Sequence, residues 1–141
     1  MCYAVLLSTT SDEDLSKRST PLMIFSRELP EIKGSGNLSH PHKWHIISRK
    51  GCGCGFRHLY SVELGFGEPV DWYEEEDEDM EATKQFIGIV RELLGGGHEV
   101  ECVDAWWTGS ELPYKETTVD LNEVTDSQFR FFENHKFIFK M

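Results

Sequence analysis

The chain has 141 residues, 39% of them hydrophobic and 12% aromatic, enough apolar material for a core without disulfide or metal support and too much for global disorder. Its 25 acidic and 14 basic residues leave a formal net charge of −11, which repels nucleic-acid phosphates and anionic membrane surfaces and favours cationic proteins or metal ions. No run approaches the roughly 20 apolar residues of a membrane span, and four cysteines without an export signal suit the reducing cytoplasm rather than a disulfide framework.

In chain order, Cys2 to Leu7 is a continuous apolar run of the kind found in central strands, ended by Ser8-Thr9-Thr10-Ser11. Residues 11–20 are polar and read as loop. Leu22-Met23-Ile24-Phe25, between Pro21 and Pro30, reads as a second strand, and the Pro- and Gly-bearing stretch 30–42 as an irregular connection. Trp44 to Arg49 alternates, and so does Phe56 to Leu64, where Phe56, His58, Tyr60, Val62 and Leu64 share a face. The Lys50-Gly51-Cys52-Gly53-Cys54-Gly55 connection between them predicts a β-hairpin.

Met80, Thr83, Phe86, Ile87, Val90, Leu93 and Leu94 recur at spacings of three and four and predict the main helix over about 80–94. Acids lead into it and Gly95-Gly96-Gly97 ends it, matching the helix dipole and a C-terminal glycine cap. Val100 to Trp106 is a further strand with Val100, Cys102, Asp104 and Trp106 on one face, and 108–118 reads as loop. Thr125-Asp126-Ser127-Gln128 has the form of a capping box before a short C-terminal helix carrying Phe129 and Phe132, and Lys136 to Lys140 is a last strand. The expectation is an α+β fold in one domain over residues 1–141: a single mixed or mainly antiparallel sheet covered by one main helix and a short C-terminal one.

Chemistry concentrates at Cys52-Gly53-Cys54 and His58. Two thiolates and an imidazole converging on one point are zinc ligands, with Cys2, Cys102, His45 or a water to complete a tetrahedron. The spacing departs from the common Cys-x2-Cys knuckle, and there is no second copy. The same dithiol can close a small, easily reduced ring and act in exchange, with Lys50 and Arg57 favouring thiolate. A Cys-His catalytic pair with Asp104 as orienting group is a third arrangement, and plain packing of small apolar thiols beside a tight turn a fourth.

The acids Glu74 to Asp79 and Glu81 lack the alternation and central glycine of a calcium loop, so they read as a solvated helix approach that can meet a basic protein partner. His40, His42 and His45 straddle a loop and a strand start and are expected at the surface. Trp72, Trp106 and Trp107 suit core or rim packing. Two functions of different class follow: a small intracellular metal-binding domain using Cys52, Cys54 and His58 with zinc, or a non-catalytic interaction domain with an acidic segment. A Cys-x-Cys redox protein is the further alternative.

Overall fold

The computed structural model describes residues 3–30, 38–59, 65–67, 76–106 and 115–141, with the backbone alone at 59 and 106. Among the described residues eight strands form: β1 (Tyr3–Thr9), β2 (Met23–Ser26), β3 (His42–Ser48), β4 (His58–Leu59), β5 (Val100–Trp106), β6 (Lys115–Asp120), β7 (Phe131–Phe132) and β8 (His135–Lys140). The one α-helix among the described residues, α1 (Asp77–Gly95), lies between β4 and β5. Six strands make one mixed sheet in the order β2-β3-β1-β5-β8-β6, antiparallel except for the parallel pair β6–β8.

The apolar run read as a central strand is β1, buried throughout and flanked by β3 and β5 with Val5 opposite both Ile46 and Asp104. On the helix side of the sheet, Val5, Leu7, Trp44, Ile46, Cys102 and Phe137 pack with Phe86, Ile87, Val90 and Leu93 of α1. Phe86, Phe129 and Phe131 pack into this layer, with ring centroids 5.1 Å apart for the edge-on pair Phe129–Phe131 and 5.2 Å for the tilted pair Phe86–Phe131. On the opposite side Leu6, Val103 and Ala105 are buried with Leu38. There Glu101 takes the Ser8 hydroxyl at 2.9 Å and the Ser39 amide, with the Lys136 ammonium 3.3 Å away. This carboxylate ties residues 38–40 to the sheet.

Helix α1 begins with Asp77, Glu78 and Asp79, which complement the positive end of the dipole. It ends in a Schellman arrangement: Gly97, at φ +85°, donates to the Leu94 carbonyl at 3.0 Å and His98 donates to that of Leu93 at 3.1 Å.

Four expectations change. No hairpin joins β3 to β4, because β3 uses its two edges on β1 and β2, while His58–Leu59 pairs in parallel with Phe131–Phe132. The remainder of the strand expected to Leu64 lies outside the described residues. The short C-terminal helix is replaced by a single turn: Gln128 closes back on the Thr125 amide at 3.0 Å, as a capping box should, and Phe129 donates to the Thr125 carbonyl. Phe129, Arg130, Phe131 and Phe132 are then buried in succession, which a helix with one solvent face does not allow, and the chain extends into β7. Lys115–Asp120, read as the end of a loop, is the edge strand β6. His45, expected at the surface, is buried on β3, and burial pushes its imidazole below the ordinary range.

Candidate functional site

Each glycine of the Gly51–Gly55 turn has a local reason to be glycine. Gly51 has φ +83°, in the left-handed region. A Cβ on Gly53 would lie 2.9 Å from both the Tyr3 carbonyl oxygen and Val5 Cγ2, and one on Gly55 would lie 2.4 Å from Ser48 Oγ. The turn is therefore pressed flat on the sheet, and close backbone approach accounts for the glycine pattern. Residues Gly53–Gly55 form a single 3-10 turn capped by Cys52, whose Sγ accepts the Cys54 amide N–H at 3.4 Å. Cys52 is buried and Cys54 half-buried, giving an inner and an outer thiol.

Of the cations expected beside these thiols, Lys50 turns to an acid and Arg57 to a carbonyl, while Arg49 spans the turn and the helix, donating to the Gly55 carbonyl at 3.4 Å. Arg49 pairs with Glu76 and with Asp79 at 2.7 Å, and Lys50 lies 3.5 Å from Glu76. Arg57 is buried, with Nη1 donating to the Ser127 carbonyl at 2.5 Å. The start of α1 is thus bound to the turn by charge, with Glu76 an exposed ion-pair partner and Asp79 a half-buried one. Glu74 and Glu75 lie outside the described residues, as do Cys2, Trp72 and Trp107.

His58 leaves the turn in a different direction. Its ring is stacked on Tyr3 at 4.5 Å and on Phe131 at 5.5 Å. Nδ1 faces the Phe56 carbonyl at 3.1 Å, and Nε2 faces Asp104 Oδ1 at 3.0 Å. With an acceptor at each nitrogen, both bonds require two protons on the pair, either as imidazolium and carboxylate or with the second proton moved onto Asp104. Burial alone would push His58 down, but the charge and hydrogen bond of Asp104 outweigh it and hold the imidazole above its ordinary value. Asp104, with no exposed surface, is pushed up by burial, and His58 only partly reverses that. Its Oδ2 has no hydrogen-bond partner.

The structure therefore brings Cys52 and Cys54 into one turn and commits both nitrogens of His58 to Phe56 and Asp104. Among the described residues, no group of three or more His, Cys, Asp or Glu side chains is arranged to hold a metal ion. Asp104 is the partner of His58 in an orienting geometry, but Nδ1 is held by a carbonyl, so the imidazole has no lone pair to serve a thiol as general base. Cys102 is fully buried beside Asp104 and Glu101, and burial first, then those two acids, push its thiol well up. It is chemically quiet. Ser48, within the alternating run Trp44 to Arg49, is the residue that organises the thiol turn; nothing in the sequence marks a serine for that task. No protein-family model matches the chain, and no curated protein or solved structure shows significant similarity to it.

Proposed function

We propose that this protein acts in thiol–disulfide exchange through Cys54 and Cys52. One observation carries the reading: an inner Cys52 Sγ already accepts the backbone N–H of Cys54, the outer cysteine two residues on. That hydrogen bond places the Cys52 sulfur over the Cys54 backbone, while the greater exposure of Cys54 makes it the sulfur a partner can reach.

In the reducing direction the Cys54 thiolate attacks one sulfur of a substrate disulfide, forming a mixed disulfide and releasing the first substrate thiolate. Cys52 thiolate then attacks Cys54 Sγ, closing the Cys52–Cys54 ring and releasing the second. Two electrons pass from the turn to the substrate, and each departing thiolate takes a proton from solvent. A ring this small is readily reopened, which suits exchange rather than a structural bridge.

The zinc reading for Cys52, Cys54 and His58 requires His58 to give up one of two buried hydrogen bonds, which favours the thiol reading over it. The test is incubation of the reduced protein with oxidised glutathione, followed by intact-mass and peptide mapping. An intramolecular Cys52–Cys54 disulfide that dithiothreitol reopens is expected, with Cys102 unmodified. Stoichiometric zinc in protein purified without added metal, lost in Cys52→Ser and His58→Ala alike, would overturn the proposal and establish the metal centre. Absence of both disulfide and zinc would leave the interaction-domain alternative.

A further inference from the structure

Ser48 stands at the end of β3, almost completely buried, directly under the thiol turn. Its hydroxyl donates to the Cys52 carbonyl at 2.5 Å and accepts the Gly55 amide at 2.9 Å and the Lys50 amide at 3.3 Å. Its own amide also donates to the Cys52 carbonyl, at 2.8 Å, and its carbonyl accepts the Gly51 amide at 2.9 Å. One side chain thus grips the backbone on both sides of the Cys52–Cys54 segment. Gly55 is matched to it, since a Cβ there would fall on the hydroxyl oxygen.

Resting on the exchange reading above, we infer that Ser48 is a positioning residue that holds the turn in its dithiol geometry and thereby sets the potential of the Cys52–Cys54 couple. The gripped turn is the one in which Cys52 Sγ sits at the Cys54 amide. Closing the ring turns that sulfur from hydrogen-bond acceptor into the bonding partner of Cys54 Sγ. Closing a disulfide between residues two apart makes a small ring that includes the whole backbone from Cys52 Cα to Cys54 Cα, and its near-perpendicular torsion is met by turning that backbone as well as the side chains. Rotation displaces the Cys52 carbonyl and the Gly55 amide together, and both are bonded to one buried hydroxyl. Ser48 therefore resists ring closure and favours the reduced state. The half-reaction is two thiols giving up two protons and two electrons to a disulfide oxidant, here oxidised glutathione, which becomes two glutathione thiols.

The experiment equilibrates the full chain in glutathione buffers of graded ratio and reads the oxidised fraction by mass after acid quenching. Ser48→Ala is expected to close more readily than the parent, by several-fold up to tenfold in the equilibrium constant, tenfold being about 30 mV toward more negative potential. Gly55→Ala, whose new methyl displaces the hydroxyl from the turn side, is expected to shift the same way. Val90→Ala, a core truncation on α1, separates lost stability from lost positioning: it should lower the melting temperature and leave the potential in place. An unchanged or less negative potential in Ser48→Ala overturns the inference while leaving exchange intact. If neither turn variant folds, Ser48 serves folding rather than potential and the inference falls. If the parent forms no Cys52–Cys54 disulfide at any ratio, the exchange reading itself has failed.

Discussion

Gly53 shows how a single residue decides whether the turn can lie on the sheet. A methyl at this position meets the Tyr3 carbonyl, which is backbone of the central strand and cannot swing aside. Gly53→Ala should cost about 1–3 kcal/mol as an overpacking change, and denaturant titration will read it. A shift of a few tenths would mean that the turn lifts away from β1. Asp104 carries a sharper prediction. Removing one member of a buried charge pair typically costs about 3–5 kcal/mol, because the other charge is left uncompensated. Asp104→Asn should approach that figure at pH 6, and adding His58→Gln should recover part of the loss. Additive losses in the double variant would mean that the two residues are not coupled.

At the scale of elements, α1 owes its place to burial rather than to its ends. Phe86 is fully buried against Phe56, Phe129, Phe131 and Phe139, so Phe86→Ala should cost about 3–5 kcal/mol in equilibrium unfolding. A variant that melts like the parent would show that the helix is not docked on this layer. The acidic helix start behaves differently. Arg49 and Asp79 are only partly exposed, at 22% and 14% of the side-chain surface, whereas Glu76 is 57% exposed. Glu76→Gln with Asp79→Asn should therefore cost no more than about 1 kcal/mol, shrinking as salt is added.

For the whole molecule, the buried histidines and Glu101 shape stability against pH. The imidazole of His58 stands above its unfolded value, so its contribution is complete below about pH 6.5 and is lost as pH rises through the folded value. His45 is held below its unfolded value, so it opposes folding as pH falls under about 6.5. Glu101 is held low by its Ser39, Ser8 and Lys136 partners against the opposing effect of burial, and its contribution disappears as pH falls through the folded value. A stability maximum near neutrality follows. On its alkaline side the slope from His58 should not exceed about 1.4 kcal/mol per pH unit, the value for one proton. Chemical denaturation from pH 6 to 9 checks this: His58→Gln with Asp104→Asn, which removes both titrating partners, should flatten that limb and leave the acid limb set by His45 and Glu101 in place. An identical alkaline limb in the variant would assign the loss to other groups.

Patterns set by local geometry were legible in the residues alone. The period of α1, its acidic start and glycine stop, and the apolar run of β1 all reflect forces acting within a few positions, so each element appears within a few residues of its expected bounds. The mixed α+β character follows from the same patterns. Pairing was not legible, since strand neighbours are chosen by burial across the whole chain: β4 joins β7 instead of β3, and Phe129 to Phe132 enter the core as extended chain. The candidate site divides in the same way. Sequence marked Cys52, Cys54 and His58, because residue type carries chemistry. Only the fold decided that the imidazole turns to Asp104, a residue 46 positions away, while Ser48 holds the backbone of the thiol turn. Burial made that choice, since an imidazole and a carboxylate removed from water must find each other or lose their charge.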